Sequence, residues 1–374
     1  MSDLSLSLEA LERSRTQLHV TDYFDAPLYE REMELLFQQG PQYRGHELMV
    51  PEVGNFRTLA HEGDGRALVR TPEGVQLISN VCRHRQAVML KGSGHTREQI
   101  VCPLHRWTYA LDGTLLGAPH FEQDPCVNLR NYPLRTWNGL LFEDNGRDIA
   151  TDLARLGPCP DLDFSGYVFD TAIVHECDYN WKTFIEVYLE DYHVGPFHPG
   201  LGNFVTCDNL RWDMADECSL QTVGLASPGG QALGKSGSDV YKRWQAKVLQ
   251  FQQGRPPRQG AIWLTYYPGV MVEWYPNVLV VSTLHPKGPQ KTVNLVEFYY
   301  PEEISAFERE YVQAQQAAYM ETCVEDDEIA LRMDAGRRAL MTRGDNEFGP
   351  YQSPMEDGMQ HFHEWYRRKM GPRL

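Results

Sequence analysis

Two cysteine–histidine pairs, Cys82-Arg83-His84 and Cys102-Pro103-Leu104-His105, stand seventeen residues apart in this chain. Each pair fits on one tight loop, so two facing loops could grip a single metal centre. Downstream, His193 and His198 lie five residues apart in the segment Glu190-Asp191-Tyr192-His193-Val194-Gly195-Pro196-Phe197-His198. Imidazole and thiolate are the natural ligands of transition metals. Thirteen histidines among 374 residues would rarely produce both cysteine–histidine pairs by chance. Eight cysteines are too sparse for a disulfide framework. Cys126, Cys159, Cys177, Cys207, Cys218 and Cys323 lack partners at ligand spacing and read as structural thiols. His120, His175 and His285 read as hydrogen-bonded core or rim residues.

The order of ligand types narrows the first site. Zinc fingers group two cysteines in one half and two histidines in the other. Here each half offers one of each, as in a [2Fe–2S] cluster whose one iron takes two thiolates and whose other takes two imidazoles. A structural zinc is the alternative. The stretch from Cys82 to Phe121 closely resembles the Rieske motif, including Trp107-Thr108-Tyr109 and Asp112-Gly113 after the second histidine. It departs at Gln86 and Arg106, where a small residue is usual. Neither is a ligand.

Two imidazoles plus one carboxylate form the facial triad of non-haem Fe(II), which leaves positions open for O2. With the cluster motif about ninety residues upstream, the whole chain resembles the oxygenase α subunit of the Rieske non-haem iron oxygenases. The resemblance implies Fe(II) on His193, His198 and a carboxylate from a later helix. Counting back from Gly336, that carboxylate falls on Asp326, with Asp334 in place of the usual glutamine and Asp327 as the neighbouring alternative. The plain reading of the run Val324–Glu328 is a solvated acidic face. An Asn-Trp-Lys start, here Asn180-Trp181-Lys182, precedes an acidic residue three before the first histidine, here Glu190, where Asp is commoner. Glu at this place is similar to members acting on choline-, betaine- and carnitine-like substrates. Its implied role is to bridge His193 to the cluster histidine, His105, of a neighbouring subunit. Asp191 is the rival, although one residue's shift on a helix turns it about 100° from the face of His193. The sequence predicts that helix over Asn180–His193, broken by Gly195-Pro196 so that His198 swings back.

The surrounding elements predict an α+β protein, and the resemblance implies a small antiparallel β Rieske domain and a helix-grip catalytic domain, a curved antiparallel sheet with helices. Residues 1–40 read as a helical segment stopped by Gly40-Pro41. Residues 41–150 hold short alternating runs (Ala67–Arg70, Val75–Ser79, Gly139–Glu143) and form the Rieske domain. Residues 151–374 form the catalytic domain after a linker at Gly157–Pro160. Its meander runs through Trp263–Tyr267, Val270–Tyr275, Val278–Leu284 and Thr292–Tyr300, turning at Pro276-Asn277 and Pro286–Pro289. A long helix follows from Glu302 to about Arg343, and a last helix opens on a capping box of Ser353, Pro354 and Glu356.

A net charge of -16 argues against nucleic acid as a partner. No apolar run approaches the roughly 20 residues that cross a bilayer, and no secretory signal opens the chain, so a cytoplasmic enzyme with no membrane contact is expected. Gly229–Ser236 matches the P-loop letters, but no strand precedes it and no helix follows directly. It reads as a loop over the substrate pocket rather than an NTPase. Trp263, Tyr266, Tyr267, Trp274 and Tyr275 offer either sheet core or a cation–π cage for a quaternary ammonium. No Gly-x-Gly-x-x-Gly follows a strand, so electrons must come from a separate reductase; the resemblance implies one that carries flavin and iron–sulfur and draws on NAD(P)H. The expected activity is that of a terminal oxygenase that hydroxylates or oxidatively demethylates a small organic substrate, with O2 as co-substrate. Aromatic-ring hydroxylation is the alternative. A Rieske electron carrier or ligand-binding redox protein without oxygenase activity is the reading from another class. The resemblance also implies a head-to-tail homotrimer.

Overall fold

The computed structural model describes residues 17–157, 159–226 and 238–371. The P-loop-like letters Gly229–Ser236 lie outside them. The chain divides into two compact units: Pro41–Ile149, and the segment up to Gly40 together with Ala150–Leu374.

The smaller unit is built of short antiparallel strands: β1 (Tyr43–His46), β2 (Asn55–Thr58), β3 (Arg66–Thr71), β4 (Gly74–Ser79), β5 (Ser93–His95), β6 (Gln99–Val101), β7 (Thr108–Ala110), β8 (Leu115–Gly117), β9 (Asn131–Tyr132), β10 (Leu134–Trp137) and β11 (Leu140–Glu143). They form a sheet β5-β2-β3-β4-β9 and two smaller ones, β1-β11-β10 and β6-β7-β8. Ala67, Val69 and Ile78 of the first sheet pack with Ile100 and Tyr109 around Cys82, Cys102 and Trp107. This core fixes the roots of the two ligand loops.

The larger unit is organised by one antiparallel sheet of β12 (Tyr167–Cys177), β13 (Val205–Ala215), β14 (Cys218–Leu225), β15 (Ala261–Tyr266), β16 (Val270–Tyr275), β17 (Val278–Gly288) and β18 (Lys291–Pro301), in the order β12-β18-β17-β16-β15-β14-β13. Every residue of β15 is buried. Trp263, Tyr275, Val280 and Phe298 of the sheet pack with Trp244, Tyr311, Ala318 and Tyr319 from the helices Asp239–Phe251 and Arg309–Arg343. A second cluster joins Tyr267 and Met271 to Trp181 and Ile185 and to Phe362 and Trp365 of the last helix.

Several element ends differ from expectation. The helix opening at Trp181 stops at Tyr188, not His193, and Gly195-Pro196 lie within a separate short helix, Val194–Phe197. Proline is tolerated there because a first turn has no donor to lose. The stretch after Glu302 breaks at Glu308 into Glu302–Phe307 and Arg309–Arg343. β17 runs beyond Leu284 until Gly288 pairs with Lys291, so the turn falls on Pro289-Gln290. The last helix starts at Asp357, four residues after Ser353. There the Glu356 carboxylate accepts the backbone N–H of Gln352, closing a turn ahead of the helix instead of a capping box within it.

The helix that leads into the histidine segment is anchored by buried charge. Asn180 caps it, its side chain accepting the Lys182 N–H at 2.9 Å. Trp181 Nε1 and Lys182 Nζ donate to the two oxygens of Glu32 at 2.8 and 2.6 Å, and the Tyr366 hydroxyl donates to the same carboxylate. Both members of the Lys182–Glu32 pair are fully buried. One turn on, Glu186 accepts from Arg337 at 2.5 Å, from His363 at 2.8 Å and from the Tyr23 hydroxyl. Removing one member of such a pair strands the other without solvent. Glu32→Gln should lower unfolding free energy by about 3 kcal/mol or more in denaturant titration. The double change Glu32→Leu with Lys182→Met should recover most of that loss, and equal loss in both would show that the pair itself is not the anchor.

Candidate metal centres

The two cysteine–histidine loops share one construction. Cys82 N–H donates to Ala87 O at 2.9 Å and Gln86 N–H to Cys82 O at 2.9 Å; Cys102 N–H donates to Trp107 O at 2.8 Å and Arg106 N–H to Cys102 O at 3.2 Å. Gln86 and Arg106, four residues after their cysteines, both take left-handed backbone, φ 56° and 59°. A side chain disfavours that conformation and glycine does not, which explains why a small residue is usual at these places. Cys82 and Cys102 are buried, and burial raises the Cys102 thiol. His84 and His105 sit toward the surface, with ring centroids 4.6 Å apart. Trp107 stacks on His84, and the Tyr109 hydroxyl lies 3.5 Å from Cys82 Sγ. His84 Nδ1 is buried with no hydrogen-bond partner. Two inner thiols, two outer imidazoles and one orphaned ring nitrogen fit a cluster with mixed ligation.

In the larger unit, His193, His198 and Asp326 bring one ligand atom each to within 4.8 Å of one another. His193 Nε2 and His198 Nε2 are 2.9 Å apart, and Asp326 Oδ1 lies 3.5 and 3.0 Å from them. Each outer ring nitrogen is held by a carboxylate: His193 Nδ1–H donates to Glu190, and His198 Nδ1–H donates to Glu325 Oε2 at 2.6 Å. Those contacts turn both Nε2 atoms toward one point. Asp326 Oδ1 is buried without a hydrogen-bond partner. Burial opposes charge on His193, yet the Asp326 and Glu190 carboxylates lift its pKa to about 10. Burial would raise Asp326, but the two imidazoles hold it below the usual carboxylate range. Two nitrogens and an oxygen converging in an acidic environment fit a divalent transition metal.

The neighbouring carboxylates separate cleanly. Asp327 turns away, accepting from His175 Nε2 at 2.8 Å and from the Tyr179 hydroxyl at 2.7 Å. Asp191 is buried against the Gln221 amide, and burial raises it to about 7. No helix spans 190–193, so it is this turn, not a 100° helical step, that parts Asp191 from Glu190. Asp334, in the place of the usual glutamine, accepts the Asn180 N–H and the Thr183 hydroxyl, at 3.1 and 2.6 Å. Glu325 was hidden in the acidic run; its signal was a position one residue before Asp326 and seven after Ala318, on the buried side of the helix.

A pocket opens on the three converging groups, lined among others by Tyr188, Trp244, Trp263, Glu273, Tyr275 and Tyr319. Of the two readings of the five aromatics, the five-membered cage does not assemble. Successive strand residues face opposite ways, so Trp263 and Tyr275 reach the pocket, whereas Tyr266 bonds Asp152 and Tyr267 bonds Ser219. Trp274 does not line it. Glu273 is the residue that motif reading missed, although a single carboxylate in the apolar run Val270–Tyr275 was its signal.

A family description for the ring hydroxylating alpha subunit (catalytic domain) matches residues 164–372, and one for the Rieske [2Fe-2S] domain matches residues 44–133. The chain belongs to the Rieske ring-hydroxylating oxygenase alpha subunits, enzymes that carry a Rieske cluster and a mononuclear iron and work as multimers with a separate reductase. It is 66% identical to the putrescine 2-hydroxylase of Ralstonia nicotianae, over 99% of this chain and 100% of that one. To the putrescine 2-hydroxylase of Bordetella bronchiseptica it is 61% identical, over 96% of this chain and 85% of the other. Its fold is that of the quaternary ammonium Rieske monooxygenase CntA, with a TM-score of 0.73 at 19% identity, covering 96% of this chain and 97% of that one. No helix among the described residues is long and apolar enough to cross a membrane.

The geometry makes Asp326 and Asp327 separable by experiment. Asp326→Ala should lose the mononuclear iron and turnover while the cluster spectrum persists; Asp327→Asn should keep all three. Iron analysis of the two purified variants checks this, and the reverse pattern would move the third ligand to Asp327.

Proposed function

We propose that the chain hydroxylates a small aliphatic diamine of the putrescine type. One observation carries this reading: the end-to-end likeness to the two putrescine 2-hydroxylases, which far exceeds its likeness to the quaternary ammonium enzyme. The pocket supports it. Glu190, Asp191, Glu273 and Asp326 line it, and none of its described lining residues is lysine or arginine, so it suits a cation and lacks a partner for a substrate carboxylate.

The overall change is R–H + O2 + 2 electrons + 2 protons giving R–OH + water. We assign the cluster to Cys82, His84, Cys102 and His105, and Fe(II) to His193, His198 and Asp326. When bound, the cluster supplies single electrons and the ferrous ion supplies O2 activation at open coordination positions. The chain's own residues do the rest. Glu190 and Glu325 hold the two imidazoles with Nε2 inward, Asp326 offers its oxygen to the same point, and the aromatic walls keep water from the reacting carbon. With a surrogate reductase and NAD(P)H, putrescine should drive O2 uptake and yield one monohydroxylated product per O2 consumed, the oxygen traceable to labelled O2 by mass spectrometry. Turnover of choline or carnitine with none of the diamine would refute the reading.

The finer partner assignment is a head-to-tail homotrimer, working in the cytoplasm with a flavin and iron–sulfur reductase. His105 lies at the surface of its unit, and Glu190 already engages His193 through both its oxygens. In a heterologous contact that closes into a ring, Glu190 receives the outer N–H of the neighbouring subunit's cluster histidine. Glu190→Gln keeps the size and removes the charge. Iron content and cluster reduction should remain normal while single-turnover product formation slows by orders of magnitude; a full-rate variant, or a fully active monomer, would exclude the bridge.

A further inference from the structure

The geometry points to Glu273 as the carboxylate that receives the diamine's ammonium remote from the carbon being oxidised. This inference rests on the diamine reading of the same pocket. Glu273 is the sole acidic residue of β16, is 1% exposed, and lines the pocket shared with His193, His198 and Asp326.

Its partners are all neutral. The Tyr319 hydroxyl donates to Oε1 and the Tyr275 hydroxyl to Oε2, each at 2.8 Å, and Trp263 Nε1 donates to the Tyr275 oxygen at 2.9 Å. Two other buried glutamates of the same unit have cationic partners: Glu32 has Lys182 and Glu186 has Arg337. A buried carboxylate without a counterion is unfavourable. Burial lifts Glu273 to about 7, the hydroxyls partly offset this, and the Asp326 charge adds to it. An arriving ammonium supplies the missing positive charge.

Position and valence agree with that role. Tyr319, Cys323 and Asp326 recur along one face of the helix Arg309–Arg343, so the residue that holds Glu273 and the residue that faces the two histidines are two turns apart, about 11 Å along the axis. A short aliphatic chain with a polar contact at one end fits that interval. A carboxylate has about four lone-pair sites; Tyr319 and Tyr275 donate to two of them and the Tyr188 hydroxyl faces the same carboxylate. The remainder suit the N–H donors of a primary ammonium, which a quaternary ammonium lacks. Trp244 and Trp263 supply apolar wall for the methylenes.

The test compares putrescine with 1-butylamine, which lacks the second ammonium, in the fully loaded enzyme. Glu273→Gln should lower kcat/KM for putrescine by roughly 10- to 100-fold and that for butylamine by much less, so the wild-type preference collapses. Glu273→Asp, which keeps the charge, should restore part of the preference. Iron content and the cluster spectrum should match wild type in both. Wild-type preference retained in Glu273→Gln, equal loss on both amines, or no difference between the Gln and Asp variants overturns the inference alone. A wild-type enzyme inactive on every diamine overturns the functional reading and the inference with it.

Discussion

Three electron-rich atoms, His193 Nε2, His198 Nε2 and Asp326 Oδ1, converge within 3.5 Å of one another, and the two nitrogens meet at 2.9 Å. Their outer nitrogens are committed to Glu190 and Glu325, so neither ring can turn its N–H inward without leaving a carboxylate unpaired. Nitrogens that face each other this closely need a proton or a metal ion between them. The rest of the larger unit serves to keep this arrangement in place.

Two buried ionic anchors do so. The histidine turn follows a helix pinned at its first residues to Glu32 and in its middle to Arg337 and His363. Arg337 belongs to the same long helix that carries Asp326, three turns along. The element with the imidazoles and the element with the carboxylate are thus tied together at a distance from the metal position. Such anchoring fixes a site to the tolerance that catalysis needs. The pocket's second polar feature, Glu273, is held by tyrosines instead of cations, which leaves its charge for a ligand.

What the sequence disclosed depended on how local each feature is. The cluster loops were legible because both ligands of each pair and their turn lie within a few residues. Gln86 and Arg106 looked anomalous by type, and the left-handed backbone supplies the reason. His193 and His198 were legible as a pair, but the helix that leads to them ends at Tyr188, short of what its sequence suggests, because tertiary contacts such as Asp191 N–H to Met355 O at 3.0 Å set the chain's path there. The central meander announced itself by apolar runs. β12 and β13 did not, since their half-exposed residues give no strict alternation. Asp326 needed a register borrowed from the family resemblance. Glu325, Asp327 and Glu273 each depend on a partner far off in sequence, His198, His175 and Tyr319, 46 to 152 residues away.

The central claim is that one metal ion sits where His193, His198 and Asp326 converge. Anomalous diffraction at the iron edge from crystals of the loaded protein tests it most directly. Two adjacent peaks should appear between the loops of Cys82-His84 and Cys102-His105, and a single separate peak within bonding distance of His193 Nε2, His198 Nε2 and Asp326. A separate peak instead at the nearby His175, Cys177 and Asp327 group, or none in the larger unit of an active preparation, would contradict it.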